Sequence, residues 1–155
     1  MGDPEALCPA CGLALRATNL SGVAARVCGQ CHSALVGQID MIRLLEAMSV
    51  ELLKTLDPDT KLEPVGKADD AVACPSCKRT MARDNYCGAG LAHFDRCEPC
   101  RLLWLGADEL GTMTMMWARM EKRLERVQKV RQEGELYSDV LLLARAVRGT
   151  WTKLV

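Results

Sequence analysis

Apolar residues along this chain fall into short clusters and two long periodic stretches. Val23, Val27, Phe94 and their neighbours predict short strands, separated by turn signals at Asn19-Leu20-Ser21-Gly22 and Gly88-Ala89-Gly90. Ile42, Leu45, Leu52 and Leu56, with Met48 beside them, lie near one face of a helix predicted over about residues 38–56. Asp57-Pro58-Asp59 ends it, because proline cannot continue the hydrogen-bond ladder. The residues that follow lack periodicity and read as a linker. A second helix is predicted from near Ala107 to about Gln132. Met113, Trp117, Met120, Leu124 and Val127 recur there at alternating spacings of four and three, a coiled-coil seam about two heptads long. Such a seam suits packing within the chain or association with another copy. Glu133-Gly134-Glu135 interrupts the pattern. A last helix over about residues 136–151, with Val140, Ala144, Val147 and Trp151 on one stripe, is expected to fold back as an αα-hairpin.

The strands are too short and too few to build a large core, and the cysteines suggest what replaces it. Eight of the nine cysteines form four C-x-x-C pairs: Cys8/Cys11 with Cys28/Cys31, and Cys74/Cys77 with Cys97/Cys100. Sixteen residues separate the pairs of the first set and nineteen those of the second, enough for a hairpin between them. This is the spacing of two four-thiolate tetrahedral zinc sites, so two Zn²⁺ per chain are expected. Pro9 and Pro75 pre-set the turn in each leading pair. Gly12 can take the left-handed backbone such a turn requires, whereas Lys78 in the same place predicts a less ideal knuckle. Disulfides and redox or iron–sulfur chemistry are the competing readings of the same thiols. Cys87 is read as a free thiol near a loop tip, and His93 and His32 as non-ligands, although each could compete for metal or donate to sulfur.

The two sets look like copies of one unit. Cys8 and Cys11 precede Cys74 and Cys77 by 66 residues, and Cys28 and Cys31 precede Cys97 and Cys100 by 69. A three-residue insertion in the second loop reconciles the offsets. Leu35, Gly37, Asp40 and Met41 align with Trp104, Gly106, Glu109 and Leu110, and both copies then enter a helix.

The formal net charge of the 155 residues is zero, but it is unevenly placed. Residues 35–73 hold four cations and eight anions, and residues 119–155 nine cations and five anions. Two zinc–tetrathiolate sites would bring the total to about −4, which disfavours a general nucleic-acid clamp. The sequence shows no apolar run long enough for a membrane span and no secretory pattern at Met1-Gly2-Asp3-Pro4-Glu5. A cytoplasmic protein is expected, in a compartment that keeps thiols reduced. Four cysteines close a metal's coordination shell, and two histidines in the whole chain leave most acid–base mechanisms without their usual agent. The expectation is therefore a non-enzyme.

Residues 74–110 also resemble a known family. Cys74-Pro-Ser-Cys77, Met81, Cys97-Glu-Pro-Cys100, Trp104-Leu105 and Glu109-Leu110 are similar to the transcription-factor-IIB-type zinc-ribbon family of small bacterial proteins. Residues 8–41 match less closely, with Leu35 at the tryptophan position and Asp40 at the acid. Leu102 and Leu103 stand where the family often has a glycine. The resemblance implies two knuckles joined by short antiparallel strands around a structural zinc. Trp104 and Leu105 can cap the apolar patch of such a module, and Glu109 suits the first turn of a helix.

Together these readings predict a small α+β protein. Residues 1–36 form the first zinc ribbon, 37–57 a connecting helix and 58–73 a linker. Residues 74–106 form the second ribbon and 107–155 a C-terminal helical hairpin. The expected function is structural zinc binding in support of protein–protein contact, self-association through the helices, or regulation. Nucleic-acid binding through Arg119, Lys122, Arg123, Arg126, Lys129 and Arg131 is a weaker alternative, since Glu121, Glu125 and Glu133 interleave them. A thiol–zinc redox switch involving Cys87 is a third.

Overall fold

The computed structural model describes residues 6–57, 59–65, 72–88 and 90–151, with side chains described through residue 134. The elements run β1 (Leu15–Leu20), β2 (Val23–Cys28), β3 (Ala34–Gly37), α1 (Met41–Thr55), β4 (Ala82–Asn85), β5 (His93–Cys97), β6 (Leu102–Leu105) and α2 (Ala107–Trp151). All six strands join one antiparallel sheet in the order β1-β2-β3-β6-β5-β4. The expected two separate hairpins are thus two three-stranded halves fused along β3 and β6.

The register of that junction has an internal symmetry. Ala34 faces Leu105, Leu35 faces Trp104 and Val36 faces Leu103. With the 69-residue offset, Leu35 and Trp104 are equivalent, so the equivalent residues meet each other on a local two-fold axis. An isologous contact has this form, here made within one chain. The repeat extends to the loops. Short bridges at Leu7 with Ala14 and at Ala73 with Thr80 flank the leading cysteine pairs. Leu15 N–H donates to the Ala6 carbonyl at 2.8 Å, as Met81 N–H does to that of Val72.

Alternation along the strands gives the sheet two buried faces. One carries Val23, Ala25, Ala34, Val36, Leu103 and Leu105. It is covered by Leu44 and Leu45 of α1 and by Leu110 and Met113 from the first turns of α2. The other carries Leu35 and Trp104, packed against the cysteines of both sets together with Met81. With both faces covered, β3 and β6 are nearly all apolar and show no polar alternation.

α1 begins after a 3-10 turn at Gln38–Asp40, close to the expected start. Its buried residues are Leu44, Leu45 and Ser49, with Met41 and Met48 also packed on the core. Ile42, expected on this face, is instead exposed. The adjacent pair Leu44 and Leu45 fixes which side faces the sheet.

α2 corrects a larger expectation. It is one helix of 45 residues, and Gly134 does not break it, so the described residues form no C-terminal helical hairpin. A single exposed glycine in a helix costs about 1 kcal/mol relative to alanine, too little to end it. The chain divides into compact units at residues 1–119 and 120–155. In the second, Met120, Leu124, Val127 and Val130 are exposed. The stripe expected at Val140, Ala144, Val147 and Trp151 lies outside the described side chains, and part of the 58–73 linker outside the described residues.

Candidate metal centres

Each half brings its four cysteines to one point. Cys8, Cys11, Cys28 and Cys31 form one group, and Cys74, Cys77, Cys97 and Cys100 the other, with the sulfurs of each group within 4.8 Å of one another. The first pair of each group sits on the loop before the outer strand (β1 or β4). The second pair forms the turn between the next two strands, with Cys28 ending β2 and Cys97 ending β5. Because β3 and β6 run antiparallel, the groups lie toward opposite ends of the sheet.

The cysteines of both groups are free thiols whose spacing could hold a metal. Cys8 Sγ lies 3.6 Å from Cys31 Sγ, and Cys77 Sγ 3.5 Å from Cys97 Sγ. A disulfide would require about 2.05 Å. A tetrahedron with metal–sulfur distances of about 2.3 Å has edges of about 3.8 Å, close to what is seen. One cysteine of each pair is buried and the other partly exposed, so each group opens only narrowly to solvent.

The backbone holds this geometry four times over. The residue after the second cysteine of every pair has a positive φ: Gly12 at 70°, His32 at 57°, Lys78 at 62° and Arg101 at 53°. That left-handed step turns the chain back around the sulfurs. Gly12, His32 and Lys78 donate their N–H groups to the carbonyls of Cys8, Cys28 and Cys74 at 2.8, 3.1 and 2.9 Å. Cys11 N–H donates to Cys8 Sγ at 3.3 Å. Lys78, expected to make a less ideal knuckle, does occupy the left-handed region without a glycine's freedom, but the turn itself is kept. Its ammonium donates to the Pro75 carbonyl at 2.9 Å.

Protonation within each group of thiols is uneven. Burial acts to raise Cys31, but Ser33, whose Oγ lies 3.3 Å away, outweighs it and brings the thiol down to about 6. A backbone hydrogen bond at Arg79 brings Cys77 down to about 7. Cys11 and Cys100 are pushed up to about 12, chiefly by hydrogen bonding with Cys31 and Cys77 and then by burial.

The remaining sulfur and imidazole groups stand apart from both clusters. Cys87 is exposed in the turn after β4, with φ 54°. His32 is exposed, and His93 lies on β5 with Nδ1 buried and without a hydrogen bond. Neither histidine belongs to a metal-ligand group.

One buried charged cluster was not anticipated from the sequence. Arg83 on β4 donates to Glu109 at 2.8 Å and lies 3.8 Å from Asp95 on β5. Glu109 also accepts from the Gly106 N–H at 3.1 Å, capping α2. Burial pushes Asp95 up to about 6, opposed by Arg83 and reinforced by Glu109.

No protein-family model, curated protein or solved structure matches the chain. Among the described residues, no helix is long and apolar enough to cross a membrane.

Proposed function

We propose that the protein is a zinc-binding, non-enzymatic adaptor in which two structural Zn²⁺ ions, one per half, hold a fused pair of zinc ribbons. The observation that carries this reading is the fourfold repeat of one left-handed knuckle around two closed sets of four sulfurs. Kinship with the transcription-factor-IIB-type zinc-ribbon family is part of the same proposal. It is supported by the motif from Cys74 to Leu110, now seen with Trp104 buried beside the sulfurs and Glu109 capping a helix. The ions' role is structural, since four protein ligands leave no open position for a reacting water.

Contact with protein partners, or with another copy, is supported by the apolar residues that α2 leaves uncovered. Met120, Leu124 and Val127 continue the seam that begins at buried Met113. Nucleic-acid binding draws less support, because Arg119, Lys122, Arg126 and Arg131 already make interactions within the protein.

Native mass spectrometry of the purified protein tests both parts. Two zinc ions per chain are expected, with loss of both on strong chelation and a concomitant loss of β-sheet circular dichroism. Iron, or intact structure without metal, would overturn the zinc reading. The same spectra give the oligomeric state.

A further inference from the structure

The two halves share a scaffold but differ in what fills the sheet face between the sulfur groups. Register fixes the correspondence. Ala17 pairs with Arg26 across β1 and β2, as Arg83 pairs with Asp95 across β4 and β5. Arg26 faces Leu35, as Asp95 faces Trp104. In the second half this surface is closed by the Arg83 guanidinium lying between the Asp95 and Glu109 carboxylates.

In the first half alanine stands in place of Arg83, and the space is open. A groove of about 380 Å³ lies there, lined by Ala17, Ala24, Arg26, Leu35, Leu102 and Ser76, the last contributed by the Cys74–Cys77 knuckle. Arg26 is half-buried and has no carboxylate partner among the described residues. Asp40, the counterpart of Glu109, stands beside Gly37 at one end of the groove and is engaged by Arg43 at 3.5 Å. The charge arrangement is therefore inverted. One half supplies both the cation and its carboxylates, whereas the other supplies a cation beside an apolar floor and an empty place.

We propose that this groove binds an acidic side chain from a partner protein, with the Asp or Glu carboxylate on Arg26 and its neighbouring apolar residue against Leu35 and Leu102. Charge complementarity selects the ligand, because a half-buried guanidinium forms its strongest hydrogen bonds with a carboxylate. The second half holds the same kind of ion pair with the charges exchanged between the strands, arginine on β4 and aspartate on β5. The proposal rests on the adaptor reading in naming a protein as the source of the carboxylate.

The test is an amide NMR titration of the zinc-loaded full chain with a capped Gly-Leu-Asp-Glu-Leu-Gly peptide. Its Gly-Leu-Asn-Gln-Leu-Gly counterpart and inorganic phosphate are run in parallel. The acidic peptide is expected to shift Ala24, Arg26, Leu35 and Ser76. Arg26→Met should weaken it about tenfold, and Ala17→Leu, which keeps the cation but fills the space, should weaken it similarly. No shift at these residues, equal binding of the neutral peptide, or equal occupancy by phosphate would overturn the proposal. Zinc content measured on the same samples separates a failed groove from a failed metal site.

Discussion

The halves agree wherever the backbone turns around sulfur and differ wherever side chains cover the sheet. All four knuckles place a left-handed residue after the second cysteine, Gly12, His32, Lys78 and Arg101, although the Arg101 N–H donates to the Glu98 carbonyl where the other three donate to that of the leading cysteine. By contrast, the tip of β1–β2 is a two-residue turn at Ser21-Gly22, closed by Asn19 Oδ1 accepting from the Gly22 N–H at 2.6 Å, while β4 and β5 are joined by residues 86–92. The axis carries leucine on one side and tryptophan on the other. One half has Ala17 and Arg26 where the other has Arg83 and Asp95. Bringing four sulfurs within 4.8 Å of one another tolerates little variation in the turns. The side chains on the sheet face between the sulfur groups are free to diverge, and one copy can keep a closed, self-paired surface while the other opens.

The strongest test of shared dependence is removal of one ligand. Cys97→Ala should lower zinc from two ions to one. Structural zinc contributes on the order of 10 kcal/mol to folding of small domains, and Cys97 ends a strand of the common sheet. Loss of protection should therefore spread across β6 into β3, rather than stop at the second half. Hydrogen exchange by mass spectrometry reads this directly. Protection retained throughout residues 15–37 would show the halves to be independent.

A smaller effect should separate the two faces. Arg83→Met leaves Asp95 and Glu109 buried without their cation, at a cost of about 3–5 kcal/mol. Arg26→Met, at the position paired with Ala17, should change stability by no more than about 0.5 kcal/mol. Denaturant titration of both zinc-loaded variants measures the contrast. Equal losses would mean that Arg26 has a partner of its own.

Asp95 sharpens the same contrast through pH. Its folded-state pKa of about 6 lies above the unfolded carboxylate value of about 3.9. The folded state therefore binds more protons between these values, and this group's contribution to stability falls as pH rises from about 4 to 6. Asp95→Asn removes that slope. The variant should gain on the native protein across this window by up to about 2 kcal/mol, as read from the difference between their denaturation midpoints.

The cysteine sets and the duplication were legible in the sequence because thiolate coordination demands fixed spacing and leaves a countable trace. The β3–β6 junction was not. Leu102, Leu103, Trp104 and Leu105 are buried or half-buried on both sides of the sheet, so they lack the alternation that marks a strand, and read more easily as a cap over one ribbon. The outward turn of Ile42 was equally hidden, since a helix with apolar residues on several sides does not declare which side is covered. The continuity of α2 through Gly134 was hidden too, because a glycine between two glutamates carries the same local signal whether a helix stops there or continues. Arg26, Arg83 and Asp95 became a related set only when the register aligned them.

The finest contrast lies at the knuckles themselves, between Gly12 and Lys78. A non-glycine residue in the left-handed region costs roughly 1–2 kcal/mol. A Cβ added at Gly12 would meet nothing within 4 Å, so Gly12→Ala should show that backbone cost alone, about 1 kcal/mol after the reduced freedom of the unfolded chain is counted. Lys78→Gly relieves the same strain. It also removes the hydrogen bond from Lys78 Nζ to the Pro75 carbonyl and loosens the unfolded chain, each worth about 0.5–1 kcal/mol. The three contributions nearly cancel, and the variant should lie within about 0.5 kcal/mol of the native protein in zinc-loaded thermal melts. A clear gain in stability for Lys78→Gly would mean that the lysine contact contributes nothing and that the second half bears a strain the first has escaped.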